Sequence, residues 1–542
     1  MKQNNILREN YTSNEQPYQL KLPIELSTII PDNDSVRLFR QIICQLDLKQ
    51  LYATYARLHE DQASPAQMLS ILLYAYHEGI YSSRKIETAC CRDINFMYLL
   101  QGKPVPDYST IARFRTLHFG PCARNLMAQF TRFLQKNGEI SGKEIFIDGT
   151  KIEANANKYT FIWKKSTTKN MRRLMDKTAA LVESLVNRYG LKPIWHGLLH
   201  RHHLKQIERK LCRIKREEGI QFVHGAGHRK TQLQRDLETL RAYRKKLTEY
   251  IQKCHICGSR NSYSKTDHDA TFMRMKEDYM RNGQLKPGYN LQFGVDSGYI
   301  SWLSITPNPT DTRTLVPFLT SMRRALEFQY ETVVADSGYE SERNYTYLEN
   351  HGIRAMIKPS NYEISKSRNF QKDISRRENM DYNYDGDFYT CRGGYRLYPF
   401  DMYRRKKKDG YVQMVTTYQC HNCKGCPWKA DCIKGRNWKT PEEERFKKLK
   451  VSRKFERQRL KSLRNITSEE GTMLRMNRTI QAEGAFATLK EDRGFRKFLT
   501  RGKENVYAES VLMAISQNID HFHNADNIRV PDYLYQTQIA LY

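Results

Sequence analysis

The sequence predicts an α/β protein, with a mixed sheet that two insertions interrupt and that an all-α domain precedes. Two observations support this prediction. Short apolar segments alternate with amphipathic ones in the middle of the chain, in the order strand, hairpin, helix, strand, helix, strand. Stretches with the helical period come before and between those segments. At 542 residues the chain exceeds the size at which one core keeps growing, so several domains are expected.

The N-terminal region, residues 35–137, has the helical period with short polar breaks. A helix start is predicted at Ser64, which a proline follows. Asp107 can cap a second helix, in which Ile111 and Phe114 form the buried face. The region is therefore predicted to be an all-α domain of helix-turn-helix type.

The core begins with a short apolar run, residues 145–147, that is predicted to be a buried strand ending at Asp148. Strict alternation over residues 289–306, broken by a tight turn, predicts a hairpin. A strand at residues 332–335 ends in Asp336 in the same way. The other core elements are predicted as helices at residues 314–328 and 341–350 and a strand at residues 354–358.

Two basic stretches interrupt the core. The first is long and helical, with leucines at helical intervals, and the second bears clustered cysteines. The predicted boundaries, in chain order, are an N-terminal tail at 1–34, the helical domain at 35–137, core strands at 138–163 and 279–360, the helical insertion at 164–278, the cysteine-bearing insertion at 361–468, core C-terminal helices with Glu483 at 469–525 and a C-terminal tail at 526–542.

The charge balance is the most unusual bulk property. The 90 Lys and Arg residues against 59 Asp and Glu give a net charge of +31, which favours nucleic acid as a partner. No apolar run approaches the roughly 18 residues of a membrane-spanning helix, and the polar segment 1–19 lacks the core of a signal peptide. We therefore expect a cytoplasmic protein without a membrane partner. On the helix that Asp107 caps, the side chains able to meet DNA are Ser109, Thr110, Arg113 and Arg115.

Asp148 and Asp336 share one context, because each is predicted to end an apolar strand and is followed by glycine within two residues. Ligands bind at the carboxyl ends of strands in an α/β sheet. Divalent cations such as Mg²⁺ prefer oxygen ligands, and two such ions can stabilise the attacking and leaving oxygens of a phosphodiester exchange. The alternative is that each aspartate merely caps a turn. Other acidic residues, Asp267, Asp269 and Asp296, remain competing candidates.

Glu483 is the predicted third metal ligand. It stands in the helical stretch 476–490 among apolar and small neighbours, with no basic residue three or four positions away. A carboxylate in such a setting needs a cation from elsewhere, such as a bound metal ion. Lys490 lies two turns further along that face and can hold a phosphate, although it can equally be a solvated lysine. Arg478 and Arg493 are weaker candidates for the same role.

The second insertion contains a tight group of cysteines with the ligand type of a structural zinc site. Four thiolates satisfy tetrahedral zinc. The alternative is that these thiols bind nothing, because their spacing is not the usual paired arrangement. The four residues are Cys420, Cys423, Cys426 and Cys432.

In their order and number these motifs resemble the DDE transposases of bacterial insertion sequences, the group with an InsH-type N-terminal domain and a ribonuclease-H-like catalytic core. The resemblance covers most of the chain, residues 35–119 and 145–522. The matching segments are Phe146 to Thr150, Gly288 to Asp296, Ala335 to Tyr339 and Glu483 to Lys490.

The resemblance implies catalytic positions at Asp148, Asp336 and Glu483, with two Mg²⁺ or Mn²⁺ ions as cofactors. It implies double-stranded DNA as the partner, both the terminal inverted repeats of the element and the target DNA. The implied reaction frees a 3′ hydroxyl by hydrolysis and then uses that hydroxyl to attack the target. At least a homodimer is implied for the active complex, associated with the nucleoid when bound to DNA. Relatives often carry tyrosine and arginine where this chain has Met476 and Thr479, and Arg478 is the candidate replacement.

Two alternatives remain open at this stage. The first is a ribonuclease-H-like nuclease that cuts DNA without joining it. The second is a catalytically inactive DNA-binding protein derived from a transposase, against which the complete set of carboxylates argues.

Overall fold

The structure, a computed structural model, describes residues 25–192, 199–225, 227–275, 283–435 and 440–528. Most of the predicted N-terminal tail, including the polar segment 1–19, and most of the predicted C-terminal tail lie outside the described residues. Within the described ranges, no helix is both long and apolar enough to cross a membrane.

The described residues 25–137 form helices and no strand. Ser64 and Gln67 form a capping box that starts α4, and Asp107 caps α7 by accepting a hydrogen bond from Thr110 N at 3.0 Å. Both predicted helix starts are therefore confirmed. The helices are α1 (Leu26–Ile29), α2 (Ser35–Gln45), α3 (Lys49–Tyr52), α4 (Pro65–His77), α5 (Ser83–Arg92), α6 (Ile94–Leu100), α7 (Tyr108–Arg113) and α8 (Gly120–Lys136), with a π-helical turn at Phe114–Phe119.

The rest of the described chain is mixed α/β, as predicted. Its strands are β1 (Glu144–Glu153), β2 (Phe161–Trp163), β3 (Ser262–Ser264), β4 (Thr271–Arg274), β5 (Leu285–Asp296), β6 (Tyr299–Thr306), β7 (Thr332–Ala335), β8 (Arg354–Ile357), β9 (Asp381–Asn383), β10 (Phe388–Thr390), β11 (Arg396–Lys406), β12 (Val412–Cys420) and β13 (Lys448–Val451). Its helices are α9 (Lys164–Tyr189), α10 (Arg201–Glu217), α11 (Gln232–Cys257), α12 (Leu315–Leu326), α13 (Glu342–Asn350), α14 (Tyr362–Ser365), α15 (Arg368–Lys372), α16 (Lys429–Cys432), α17 (Arg453–Thr467), α18 (Glu469–Arg478), α19 (Gly484–Ala487) and α20 (Lys503–Ile528).

The central sheet has the order β4-β5-β1-β7-β8, and β6 pairs with β5 beside β4. β1 is antiparallel to β5 and parallel to β7, which is parallel to β8. The predicted hairpin is confirmed as β5 and β6, joined through Ser297 and Gly298, which both have positive φ. That conformation matches the twist of the two strands. The sheet is therefore mixed, with its parallel half at β1, β7 and β8.

The prediction that the first core strand ends at Asp148 is wrong. β1 continues to Glu153, because it pairs with β5 over its whole second half. Only its pairing with β7 stops at Ile147. Asp148 therefore lies inside a strand, at the position where one of its two neighbouring strands ends.

The first insertion is helical only in part. α9, α10 and α11 pack around an apolar core of their own, which includes Val182, Leu204 and Leu237. Beyond Cys257 the helical prediction is wrong, because β3 pairs with β2 and β4 pairs with the start of β5. Strand pairing with distant residues decides the structure here, and the local period does not reveal it.

The second insertion contains an antiparallel sheet with the order β13-β12-β11-β10-β9, which the sequence analysis did not predict. This sheet has its own core, in which Tyr389, Leu397 and Tyr418 are buried. α17 leaves the sheet and packs against β8 through Ser462, whose Oγ donates to Ile357 O at 2.8 Å. The insertion is thus attached to the edge of the central sheet.

The C-terminal elements hold the N-terminal helices against the core. α20 is buried over much of its length, and Ser516 Oγ on it donates to Leu73 O in α4 at 3.1 Å. At the end of α4, His77 Nδ1 lies 3.6 Å from Asp520 Oδ1. Arg493 Nη2 donates to Asp520 Oδ2 at 2.9 Å. A small charged cluster therefore joins the two ends of the described chain.

His77 makes this junction sensitive to acid. Burial is the main cause that lowers the pKa of His77 to about 4 from its ordinary 6.5, and Asp520 opposes the shift. Between these two values the unfolded state binds more protons, so the free energy of unfolding is expected to fall as the pH drops through this window. The variant His77→Gln lacks this contribution. Thermal melts should show the variant gaining stability relative to wild type from about pH 7 to about pH 5, and a difference that does not change with pH would contradict the prediction.

Candidate active site

Asp148 and Asp336 are brought side by side by the register of two parallel strands. Phe146 of β1 pairs with Val334 of β7. Because side chains alternate along a strand, the residues two positions further on share one face of the sheet. Asp148 is buried and Asp336 is half-buried. The two aspartates predicted from the sequence therefore lie on one face of the sheet, just beyond the last paired residues of β1 and β7.

Each aspartate also has a local backbone partner. Asp148 Oδ1 accepts a hydrogen bond from Gly149 N at 2.8 Å, and Asp336 Oδ1 accepts one from Gly338 N at 2.8 Å. The turn-capping alternative is thus correct for one oxygen of Asp336. The same carboxylate still faces the neighbouring acidic groups, so capping does not exclude a second role.

A third aspartate, Asp311, lies between these two. A methyl group added to Gly149 would stand 2.9 Å from Asp311 Oδ1, and one added to Gly338 would stand 3.0 Å from Asp336 Oδ1 and 3.5 Å from Asp311 Oδ2. Asp311 is not among the residues predicted from the sequence, because it follows an irregular segment after β6 instead of an apolar strand. The only local pattern around Asp311 is the sequence Asn308-Pro-Thr-Asp, which predicts a turn and not a catalytic residue.

Hydrogen bonds from β5 hold Asp311 in place. Asn290 Nδ2 donates to Asp311 Oδ1 at 2.7 Å, and Gln292 Nε2 donates to it at 3.0 Å. The Oε1 atom of Gln292 accepts hydrogen bonds from Thr314 and Tyr339. Both the nitrogen and the oxygen of the Gln292 amide therefore form hydrogen bonds, and these bonds hold Gln292 in position beside Asp311.

The pKa of the buried Tyr339 is affected by all the charged groups of the site. Its ring is fully buried, and burial is the largest cause that raises its pKa well above the ordinary value. The carboxylates of Asp311, Asp148 and Asp336 raise it further, and the Arg478 guanidinium opposes them. Three acidic side chains and one arginine thus lie near enough to this phenol to change its pKa.

Arg478 is the basic partner of this site. Its Nη2 lies 3.1 Å from Asp148 Oδ2, and the side chain is half-buried at the end of α18. The guanidinium offsets part of the negative charge that three aspartates would otherwise concentrate here. Arg478 is therefore a predicted basic residue that the structure pairs with a candidate catalytic aspartate.

Glu483 lies on a helix that docks over the two strands. Residues 469–492 form one continuous helix, in which π-helical turns at Thr479–Glu483 and Thr488–Asp492 alternate with α18 and α19. Ala482 packs in one apolar cluster with Phe146 and Val334. Ala482 directly precedes Glu483. The two residues that it packs with, Phe146 and Val334, each lie two positions before one of the aspartates. Rare π-helical turns are frequent at functional sites.

The surroundings of Glu483 differ from those that the sequence predicts. Glu483 is exposed, and Ile480 beside it is 70% exposed, so the predicted apolar burial of this carboxylate is wrong. The buried face of the helix instead carries Phe486, whose ring stacks on Phe293 with centroids 4.8 Å apart. Among the described residues, no three Cys, His, Asp or Glu side chains are already gathered closely enough to hold a metal ion. Glu483 therefore does not form a metal-binding group with the two aspartates in this structure.

The competing acidic residues have structural partners. Asp296 accepts a hydrogen bond from Gly142 N at 2.9 Å, Asp267 accepts one from the hydroxyl of Tyr289 at 2.9 Å, and Asp269 accepts one from Lys503 N at 2.9 Å. Each carboxylate ties together distant segments of the chain. We therefore set these three aside as candidates for the active site.

The predicted DNA-contacting residues fall into two groups. Arg113 is exposed, and Ser109 and Thr110 are half-buried on α7. Arg115 is only 4% exposed, and its Nη2 donates to Tyr81 O at 2.9 Å, so the expectation that it can meet DNA is wrong. The reason is that Arg115 follows the buried Ile111 by four residues and therefore lies on the buried face of the helix.

The basic residues near the C-terminal helix also differ from one another. Lys490 lies half-buried in the second π-helical turn. Arg493 pairs with Asp520, and only 10% of its side chain is exposed. Arg493 therefore stabilises the junction with α20 in this structure, whereas Lys490 lies further along the helix of Glu483.

The four predicted zinc ligands lie together at one end of the small sheet. Cys420 ends β12, Cys423 is buried in the following loop, and Cys432 ends the short helix α16. Cys426 lies between them, and all four line one small cavity. The same cavity is lined by Cys391, which the sequence analysis did not consider.

Comparison with known protein families gives two matches. A family described as transposase DDE domain matches residues 390–523, which include Glu483 and the cysteine group. A family described as transposase domain (DUF772) matches residues 24–117, which include α1 to α7. A comparison with curated proteins found no match. The two family matches confirm the resemblance that the motifs indicated, and DDE transposases generally use divalent metal ions.

Proposed function

We infer that this chain, an insertion-sequence DDE transposase, cuts DNA at the ends of its element and joins the freed ends to target DNA. The observation that carries this proposal is the convergence of Asp148, Asp336 and Asp311 where the pairing of β1 with β7 stops. Carboxylates gathered on neighbouring strands of an α/β sheet are the donor set that hard divalent cations require. A sheet of this kind, with the acidic groups on its central strands, supports a ribonuclease-H-like core.

Asp148, Asp336 and Glu483 are the proposed ligands of two Mg²⁺ or Mn²⁺ ions. Such ions stabilise both the attacking and the leaving oxygen of an in-line phosphoryl transfer. Asp148 and Asp336 need no rearrangement to face one site, whereas Glu483 must move toward them from its exposed position. The stacking of Phe486 on Phe293 anchors the helix on β5, so the proposed movement is one of the Glu483 side chain. DNA or metal binding would provide the attraction that draws Glu483 inward.

The protein's own groups have distinct proposed tasks. Gln292 and Asn290 fix Asp311, and Asp311 in turn keeps the acidic end of the sheet open for cations by preventing closer packing. Arg478 neutralises Asp148 until cations bind, and it can then turn to a DNA phosphate. Lys490 is the proposed phosphate contact on the same helix as Glu483. Chemistry in this site thus rests on positioning and charge.

The N-terminal helices are the proposed reader of the terminal inverted repeats. Within α7, Ser109, Thr110 and the exposed Arg113 form the contact surface. Replacing Arg113 by Ala is expected to weaken DNA binding about equally for all sequences and to reduce the slope of log K against log salt by about 1. The matched control is Arg115→Ala, which removes a buried arginine and should lower the melting temperature without changing that slope. An equal loss of slope in both variants would contradict the assignment of Arg113.

A strand-transfer assay tests the proposed function. The purified chain is incubated with Mg²⁺, a duplex that ends in a precut 3′ hydroxyl of the element end, and a supercoiled target plasmid. We expect covalent joining of the duplex to the plasmid, by a homodimer or larger assembly. Hydrolysis without joining would identify a nuclease, and sequence-specific binding without any cleavage would identify a DNA-binding protein. Either of these outcomes would overturn the proposal.

A further inference from the structure

Five cysteines, and not four, meet at the end of the small sheet. Cys391 directly follows β10 and begins a tight turn, in which Gly394 N donates to Cys391 O at 2.9 Å. The cavity that this turn closes has a volume of about 20 Å³. That volume accommodates roughly one water-sized sphere, or a single ion. The cysteines that line it are Cys391, Cys420, Cys423, Cys426 and Cys432.

Four of these five cysteines belong to one packed cluster. Cys420 and Cys423 are buried in the core of the small sheet, and Cys391 and Cys432 pack against that core. Cys426 lies outside that cluster, and a methyl group added to Gly393 would stand 3.5 Å from its sulfur. The geometry therefore separates Cys426 from the other four.

Backbone and side-chain donors surround the same sulfur atoms. Lys447 N donates to Cys423 Sγ at 3.3 Å, and the backbone N–H of Asn422 donates to the sulfur of Cys420. The Lys447 ammonium is held inside the cluster, where its Nζ donates to Cys432 O at 2.8 Å. Two backbone N–H donors and one ammonium group therefore lie beside the sulfur atoms that line the cavity.

We propose that Cys391, Cys420, Cys423 and Cys432 bind one structural Zn²⁺ ion, and that Cys426 is not a ligand. Four thiolates match the tetrahedral preference of zinc. The four sulfur atoms must rotate inward to meet an ion at roughly 2.3 Å, since no three such groups among the described residues are already in binding geometry. The ion would tie the end of β10 to the end of β12 and to α16. It would thereby hold the second insertion in a single shape.

The first test uses the wild-type protein. The full chain is purified under reducing conditions without chelator, its metals are measured, and its cysteines are alkylated with iodoacetamide before and after zinc is removed by a chelator. We expect about one zinc per chain. Mass spectrometry should show Cys391, Cys420, Cys423 and Cys432 reacting only after chelation, whereas Cys426 reacts at once, like the exposed Cys44 and Cys91.

The second test uses a matched pair of variants. Cys391→Ser should lose the zinc and Cys426→Ser should keep it, because both remove one thiol from the same cavity. Should Cys391→Ser fail to fold, a Co²⁺ spectrum of Cys426→Ser with the bands of four thiolate ligands decides the same question. Protection of Cys426 with free reaction of Cys391, a protein without zinc after reconstitution, or binding of iron instead would overturn the proposal. None of these readouts depends on DNA cleavage, so the result stands apart from the proposed function.

Discussion

Replacing Asp148 by Asn is expected to abolish DNA cleavage and joining while DNA affinity stays close to that of wild type. Asparagine preserves the size of the side chain and removes the charge that a divalent cation requires. Loss of an outer partner of a metal ligand already costs about 10- to 100-fold in activity, so loss of a ligand should exceed about 100-fold. Asp336→Asn and Glu483→Gln should behave in the same way.

Single-turnover cleavage of labelled end DNA and fluorescence anisotropy measure these two properties separately. The matched control is Glu491→Gln, an exposed carboxylate on the helix of Glu483 that pairs only with the surface residue Arg496 at 2.9 Å among the described contacts. This variant should retain full activity. A double variant of Asp148 and Asp336 should be no less active than either single variant, because the two side chains act as a unit. Cleavage by Asp148→Asn within about tenfold of wild type would remove this residue from the site.

Replacing Gly149 by Ala is expected to damage both the fold and the active site. The added methyl group would stand well inside contact distance of Gln292 Nε2 and 2.9 Å from Asp311 Oδ1. Gln292 is fully buried and is held by hydrogen bonds at both ends of its amide, so it cannot swing away without breaking them. Overpacking of this kind typically costs about 1–3 kcal/mol of unfolding free energy. The displacement of Asp311 should lower cleavage by a further 10- to 100-fold, roughly the effect of losing an outer partner.

The matched control for this substitution is Gly484→Ala. Nothing lies within 4 Å of a methyl group at Gly484, and its φ of −57° is helical. Alanine is about 1 kcal/mol better than glycine inside a helix, so this variant should be as stable as wild type or more stable. Denaturant unfolding and the cleavage assay check both variants. Equal losses in the two variants, or full activity of Gly149→Ala, would contradict the role assigned to the close approach at Gly149.

The sequence predicts those parts of the fold that depend on interactions between residues close together in the chain. The hairpin β5–β6 was predicted from strict alternation and a turn that favours positive φ at Gly298, and the start of α4 from the cap at Ser64. Asp148 and Asp336 were selected because each follows an apolar run and precedes glycine. These features depend on residues close together in the chain, so they are legible without the tertiary structure.

Pairings between distant residues decided the rest. β1 continues past Asp148 because β5 lies beside it, and β4 and the small sheet exist only through partners that the period of their own residues does not identify. Arg115 is buried because it shares the helix face of Ile111 and Phe114, which packs against the rest of the protein.

The chain's motifs alone indicated a resemblance to DDE transposases and singled out Asp148 and Asp336, because apolar runs, caps and turns act over a few residues. Packing alone brought Asp311 between those aspartates, Arg478 against Asp148 and Cys391 into the cysteine cluster. The physical reason is that a carboxylate, a guanidinium or a thiol acquires its chemistry from neighbours that the fold brings within a few ångströms, however far apart they lie in the chain.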